Sequence, residues 1–161
     1  MKLSTRTRYG LRALVDLAAR HAQGPVMLRI ISESQGLSKK YLDNIFTALR
    51  LAGLVRTVRG ARGGYLLARD PADISVAEVV EALEGDLNPV DCVEYPQTCD
   101  RALECVTREL WTELRDAMVQ VLESKTLEDL VIRRAELAEK GTKQKSKSES
   151  KRQATKRRSR K

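Results

Sequence analysis

The sequence predicts a mostly helical fold with one small β-hairpin, and three patterns support this fold class. Apolar residues recur at spacings of three and four in several segments, which is typical of helices with one buried face. Glycine or proline separates these segments. Two short apolar runs, residues 54–58 and 65–68, flank a glycine-rich stretch and so predict the hairpin.

The first 70 residues predict three helices followed by the hairpin. The helices are expected over residues 3–21, 27–35 and 38–52. Ser38 is placed to be the N-cap of the third helix, and Gly53 follows its last turn. A short helix, a glycine turn and a second helix form a helix-turn-helix, and a hairpin directly after it is a wing. We therefore predict a winged helix-turn-helix.

The rest of the chain predicts further helices and a loop. A capping box from Ser75 to Glu78 begins a helix that ends near Leu83. A long amphipathic helix is expected from Arg101 to Glu123, and because little remains locally to cover its apolar face, a second copy of the chain is its simplest cover. The predicted organisation is a winged helix-turn-helix in residues 1–70, a linking helix and cysteine loop in 71–100, dimerisation helices in 101–138, and a disordered basic tail in 139–161.

Charge divides the chain into three parts. Residues 1–70 contain 13 basic and 4 acidic residues, a net charge of +9. Residues 71–140 contain 7 basic and 17 acidic residues, a net charge of −10, and residues 141–161 contain 10 basic residues and 1 acidic residue. A basic N-terminal part is expected of a phosphate-binding surface, although a solvated basic face is the alternative. Double-stranded DNA is the partner that this distribution favours.

The third helix and the hairpin supply the candidate DNA-binding residues. The N-terminal part of a recognition helix meets base edges, where asparagine, lysine and serine suit base or phosphate contacts. A carboxylate there repels phosphate but accepts a hydrogen bond from a cytosine amino group. An arginine among glycines at a hairpin tip suits a narrow minor groove. The candidates are Ser38, Lys39, Tyr41, Asp43 and Asn44 in the helix, and Arg59 and Arg62 in the hairpin.

Cys92, Cys99 and Cys105 are the three cysteines of the chain, and they lie within 14 residues. An odd number argues against a disulfide framework. Three clustered thiolates can hold a soft metal ion or an iron–sulfur cluster, whereas a structural zinc site takes four ligands. Cysteines that only pack, and a cysteine redox switch without metal, stay open. The nearby acidic residues are not expected to lower the pKa of the thiols by themselves.

Several segments of the sequence resemble the Rrf2 family of winged-helix transcription regulators. They are MKLS at residues 1–4, RYGL at 8–11, LSKKYL at 37–42, GLV at 53–55 and VRGARGGYLL at 58–67. The resemblance covers about residues 1–135. It implies a homodimer that binds a palindromic operator, with recognition-helix contacts from Ser38, Tyr41, Asp43 and Asn44 and a minor-groove contact from Arg59.

The resemblance extends to the iron–sulfur branch of this family, the IscR- and NsrR-like regulators, which carry three cysteines in this loop. It implies that the three cysteines hold a 2Fe-2S or 4Fe-4S cluster to which a regulator, expected to be a repressor, responds. The spacing departs from the usual five intervening residues, being six and then five. Arg108 stands where IscR-like proteins have a histidine, and Arg8 and Arg12 stand where the first helix would supply a ligand, so the fourth ligand is unassigned. His21, the one histidine, is interpreted as a surface residue.

The sequence favours a DNA-binding regulator over an enzyme. No motif for nucleophilic or phosphoryl-transfer catalysis occurs. No run of about 18 apolar residues and no secretory signal is present, so we expect no membrane association and a cytoplasmic location. Two alternatives stay open, a cluster-free winged-helix regulator with a cysteine redox switch and a small iron–sulfur carrier or redox protein. The carrier would not need a basic, glycine-rich hairpin.

Overall fold

The computed structural model describes residues 3–60 and 62–140. Residues 141–161, nearly all of the basic tail predicted for 139–161, lie outside the described residues, whereas residues 139 and 140 belong to a helix and not to a disordered tail. The described residues form six α-helices and one two-stranded antiparallel sheet, which confirms the predicted mostly helical fold with a small hairpin. Helices α1 to α5 are Thr5–Ala18, Leu28–Gln35, Lys39–Leu51, Val76–Glu84 and Val106–Glu123, and α6 covers residues 127–140. Strands β1 and β2 are Val55–Val58 and Gly64–Leu67.

The core lies where α1, α3 and α4 pack together. Each of these helices buries one row of apolar residues, as Leu42, Ile45 and Leu49 do on α3. Gly10 of α1 faces α4 so closely that a Cβ atom at this position would overlap the side chain of Leu83. Helix α4 is therefore packed directly against the N-terminal helices.

A carboxylate joins the end of α4 to the beginning of α1. Glu84 accepts hydrogen bonds from the Ser4 backbone N–H at 3.1 Å, from the Ser4 hydroxyl at 2.8 Å, and from the Thr7 hydroxyl. These bonds, with the Thr7 hydroxyl contributing most, lower the pKa of Glu84. The residue that ends α4 and precedes the cysteine loop thus also holds the first turn of α1.

Helices α2 and α3 form the predicted helix-turn-helix. Helix α2 ends at Gly36, whose φ of 65° lies in the left-handed region that glycine adopts without strain. Ser38 precedes α3 and accepts a hydrogen bond from the backbone N–H of Tyr41 at 3.2 Å, which confirms it as the N-cap. The turn between the two helices is therefore fixed at both ends by local chemistry.

The hairpin is attached to the helices through a short extra pairing. Strands β1 and β2 pair in antiparallel register from Val55 opposite Leu67 to Val58 opposite Gly64. Val26, just before α2, exchanges two backbone hydrogen bonds of 2.9 and 2.8 Å with Tyr65. A Cβ atom at residue 64 would overlap the Val26 carbonyl, so only glycine permits this close approach.

Helix α5 begins later than the sequence predicts. The predicted helix from Arg101 was wrong at its start, because residues 101–104 form turns and the helix begins at Val106. Cys105 has an extended backbone, with φ −92° and ψ 101°, that cannot continue a helix in the N-terminal direction. In the turns Ala102 is buried whereas Leu103 is 93% exposed, so Leu103 does not belong to the apolar row of the helix.

Helix α6 packs against the core and α1. Leu127 is completely buried and its N–H donates to the Ile74 carbonyl at 3.0 Å. Further along α6, Arg134 donates to the carboxylate of Asp16 in α1 at 2.9 Å. Asp16 is 1% exposed whereas Arg134 is 47% exposed, so a half-exposed arginine of α6 pairs with a buried carboxylate of α1.

Candidate DNA-binding surface and cysteine loop

The N-terminal turns of α3 present a polar, mostly exposed surface. Lys39, Asp43 and Asn44 are exposed, as the helical spacing predicted, because the buried row occupies the opposite side of the helix. Ser38 is also exposed, and its oxygen is used as the N-cap. Its O–H proton stays available to donate to a phosphate or base, because a hydroxyl can donate and accept at the same time.

Tyr41 differs from the other candidates because it is half-buried. Its ring packs edge-to-face on Tyr9 of α1, with the ring centroids 6.3 Å apart. The guanidinium groups of Arg8 and Arg12 lie 6.0 and 5.5 Å from the centroid of the Tyr9 ring. Tyr41 therefore joins α3 to a cationic part of α1, a packing role that the sequence pattern did not predict.

The wing tip exposes both predicted arginines. Arg59 and Arg62 are exposed on either side of Gly60, whose φ is 109°. The tip is closed by a hydrogen bond of 2.9 Å from the Gly63 N–H to the Gly60 carbonyl. Arg56 on β1 is exposed as well and adds a third cation to the wing, which the sequence pattern did not predict.

Tyr65 connects the wing to α3. Its ring packs edge-to-face on Phe46 of α3, with a centroid distance of 4.8 Å. Burial raises the pKa of Tyr65, and the nearby Asp43 carboxylate raises it further. Tyr65 belongs to the VRGARGGYLL segment of residues 58–67, but the sequence pattern did not predict this role. The available signal was an aromatic residue on the strand that follows the glycine-rich tip.

The cysteine loop, residues 85–105, joins α4 to α5. It contains two short 3₁₀ turns, Asp91–Val93 and Pro96–Thr98, and all three thiols are free. Cys99 is exposed, while Cys92 and Cys105 are partly buried. Among the described residues, no three His, Cys, Asp or Glu side chains stand close enough together to hold a metal ion. The three thiols therefore lie near one another in sequence but do not form one set of metal ligands in space.

Cys105 lies directly before the first turn of α5. Its Sγ is 3.2 Å from the Thr107 hydroxyl. The Thr107 hydroxyl, followed by the backbone N–H of Arg108, lowers the pKa of the Cys105 thiol. The nearby acidic residues have no part in this shift, because hydrogen bonds at the start of a helix are what favour the thiolate of Cys105.

Helix α5 leaves an apolar row uncovered. None of its residues is buried. Val106 is 76% exposed and Val121 63% exposed, and Leu110 and Leu114 lie between them on the same side at 55% and 43%. The apolar row extends along a helix of about 27 Å, as its 18 residues imply. Such a surface is typical of a site where a protein meets another protein.

A helix-turn-helix with an attached basic wing defines the class of winged-helix DNA-binding regulators. The family model described as iron-dependent transcriptional regulator, Rrf2, matches residues 3–133. The chain belongs to the Rrf2 family. No helix in the described part of the chain is long and apolar enough to cross a membrane.

Three relatives show how close the similarity is. The transcriptional regulator CymR of Bacillus subtilis is 43% identical over 130 residues, which cover 81% of this chain and 89% of CymR. Its solved structure, described as that of the global cysteine regulator, matches with a TM-score of 0.69 over 81% of this chain and 96% of that one. The regulator IscR of Photorhabdus laumondii is 41% identical over 131 residues, 81% of this chain and 79% of that protein. The structure of T. potens IscR is 41% identical, with a TM-score of 0.68 over 86% of this chain and 90% of that one. These relatives are named as regulators, not enzymes.

Proposed function

We propose that this protein is a homodimeric, sequence-specific repressor whose affinity for operator DNA changes when its three cysteines hold an iron–sulfur cluster. The observation that carries the proposal is the position of the cysteine loop. The loop follows Glu84, which holds the first turn of α1, and it leads directly into α5, which carries the uncovered apolar row. A change of ligation in the loop therefore acts between the DNA-binding helices and the proposed dimer contact.

DNA binding is assigned to the exposed start of α3 and to the wing. The proposed contacts are Ser38, Lys39, Tyr41, Asp43 and Asn44 to base edges and phosphates, and Arg59 and Arg62 to the minor groove and backbone. Exposure of these side chains, except half-buried Tyr41, supports this assignment. The attachment of the wing to α3 through Tyr65 and Phe46 supports it further, because both elements are then presented to one half-site together.

The homodimer is assigned to α5. A second copy covers the row that includes Leu110 and Leu114, and a two-fold axis at this helix matches a palindromic operator. Trp111, the one tryptophan of the chain, lies half-buried beside this row and reports its burial by fluorescence. The proposed location is the cytoplasm.

The donor chemistry of the loop fits an iron–sulfur cluster. Cys92, Cys99 and Cys105 would hold it, and the cluster would supply a redox-sensitive group that links the three positions. The bonds between backbone groups of residues 90–105 all connect residues three or four apart, so drawing the thiols together breaks single turns and no long-range bond between backbone groups. The cluster could be 2Fe-2S or 4Fe-4S, and its fourth ligand is unassigned among Glu104, Asp100 and a small molecule or water.

A second function is favoured by the cysteines themselves. The exposed thiol of Cys99 and the lowered pKa of Cys105 are features of cysteines that react with oxidants. The relative CymR is described as a cysteine regulator. The second candidate is therefore a cluster-free regulator in which thiol oxidation changes DNA binding.

Anaerobic reconstitution with iron and sulfide separates the candidates. The cluster proposal expects visible absorbance, stoichiometric iron and sulfide, and a change of about 5- to 150-fold in affinity for a selected operator on loading. The triple Cys→Ala variant is the control and should stay colourless and lose the response. Protein that stays colourless but loses operator affinity reversibly with a thiol oxidant supports the second candidate. Operator binding that is independent of metal, oxidant and the cysteines refutes both.

A further inference from the structure

Arg108 makes an unusual contact for an arginine in an acidic segment. From the first turn of α5, its Nε donates to the Cys92 carbonyl at 2.7 Å, and one terminal nitrogen donates to the Val93 carbonyl at 3.4 Å. The guanidinium group is partly buried in this position. It makes no ion pair with a carboxylate among the described residues, although acidic residues surround it in sequence. Its role is therefore to hold main-chain oxygens.

Among the described residues, these two bonds are the hydrogen bonds that join residues 85–104 of the loop to α5. Among the hydrogen bonds of the described residues, the other bonds of residues 85–104 stay within that segment or reach back to the end of α4. Val93, whose carbonyl Arg108 contacts, is buried. The backbone N–H of Arg108 in turn donates to the Cys105 carbonyl at 3.0 Å. One residue thus contacts the main chain of the first and of the third cysteine.

We propose that Arg108 is a positioning residue that fixes Cys92 against the first turn of α5, so that ligation or modification of Cys92 acts directly on this helix. The inference rests on the proposed function for what occupies the thiols, but the contact itself is independent of any occupant. The planar guanidinium suits the role because it places two donors on two adjacent carbonyls, which a lysine ammonium cannot reproduce in the same geometry. Arg108 is itself no ligand, because a guanidinium has no free electron pair to offer a metal.

The first test measures the accessibility of each thiol in reduced, metal-free protein. Alkylation by iodoacetamide is followed by mass spectrometry for Cys92 and Cys99 separately. Arg108→Gln should raise the alkylation rate of Cys92 about tenfold, because the charged donor that holds the Cys92 carbonyl is lost, and should leave the rate of exposed Cys99 unchanged. Arg101→Gln is the matched control, because it removes the same charge from an exposed position in the loop and should leave both rates as in wild type.

Arg108→Lys keeps the positive charge but removes the two-donor geometry of the guanidinium, so it distinguishes geometry from charge. It also keeps the test valid if the glutamine variant does not fold. It should raise the Cys92 rate nearly as much as Arg108→Gln does. A Cys92 rate within about twofold of wild type in a folded Arg108→Gln protein overturns the inference. A wild-type rate in Arg108→Lys together with a raised rate in Arg108→Gln also overturns it, because charge alone would then be responsible.

The second test uses protein loaded with iron and sulfide. Arg108→Gln should either lose iron content or lose the difference in operator affinity between loaded and unloaded protein, while its unloaded affinity equals that of the wild type. Iron content and affinity difference both equal to wild type overturn the coupling. If wild-type protein stays colourless, the cluster proposal fails, and the alkylation rates still decide whether Arg108 positions Cys92.

Discussion

Replacing Arg134 by glutamine should destabilise the protein strongly although the arginine is on the surface. The Arg134 side chain is 47% exposed, but its partner Asp16 is 1% exposed and lies 2.9 Å away. Losing one member of a buried ion pair typically costs about 3–5 kcal/mol, because the other charge stays buried without compensation. Arg20 still lies 3.6 Å from the same carboxylate oxygen, and Arg134 is half in solvent. We therefore expect Arg134→Gln to lower the free energy of unfolding by about 2 kcal/mol, below the usual range for a fully buried pair.

The neighbouring arginine provides a matched control. Arg133 pairs with Glu136 at 2.6 Å on the same helix, and both of these side chains are at least half exposed. Arg133→Gln should lower the free energy of unfolding by at most about 0.5 kcal/mol. Urea unfolding followed by circular dichroism compares the two variants, at one fixed protein concentration because the proposed dimer would gain stability with concentration.

A double-mutant cycle identifies the cause. In an Asp16→Asn background no buried charge is left, so adding Arg134→Gln should cost less than about 1 kcal/mol. The reasoning is refuted if Arg134→Gln is no more destabilising than Arg133→Gln, or if the cost of Arg134→Gln is the same with asparagine at residue 16.

Three further outcomes follow from the other contacts. Arg59→Ala should weaken binding to a selected operator by about 1–3 kcal/mol, measured by fluorescence anisotropy, and an equal loss on random DNA would contradict a minor-groove role. Removing residues 141–161 should lower affinity for non-specific DNA and flatten its salt dependence, since up to ten counterion-releasing charges are lost, and a change in the unfolding midpoint would contradict the expectation that the fold does not need this basic tail. Glu84→Gln should be less stable than wild type at neutral pH. Because the folded pKa of Glu84 is lowered, its contribution is present above the ordinary carboxyl value of 4.5 and is lost as the pH falls through the folded value. The difference in urea midpoint between wild type and Glu84→Gln should therefore shrink in acid. A difference that stays constant with pH would exclude a stabilising role of the charged Glu84 carboxylate.

The local elements were predictable because their signals are local. Ser38 and Gly36 mark the turn of the helix-turn-helix by cap chemistry that depends on the residues beside them. The hairpin follows from two apolar runs around glycines, and the exposed face of α3 follows from the spacing of its buried row. Each of these depends on about 15 consecutive residues or fewer, which is the range that periodicity and capping describe.

The contacts that sequence reasoning missed connect residues far apart in the chain. Arg134 and Asp16 are 118 positions apart, and Glu84 and Ser4 are 80 apart, so no spacing rule relates them. The late start of α5 was missed because Leu103 fits the apolar spacing, whereas the chain turns there and buries Ala102 instead. The role of Arg108 could not be predicted either. Every residue has a main-chain carbonyl, so the identities of Cys92 and Val93 do not indicate that they accept these hydrogen bonds.

The attachment of the wing fixes the distance between the wing tip and α3. Val26 and Phe46 hold Tyr65 from two sides, so the wing tip cannot shift relative to α3 without breaking backbone hydrogen bonds and an aromatic contact. One extra base pair moves the next groove by about 3.4 Å along the DNA axis and turns it by about 35°. A flexible arm could follow such a shift, whereas this wing would lose its proposed contact with the DNA groove. Operators for this regulator should therefore tolerate base changes between the two contacts of a half-site better than they tolerate a single inserted base pair.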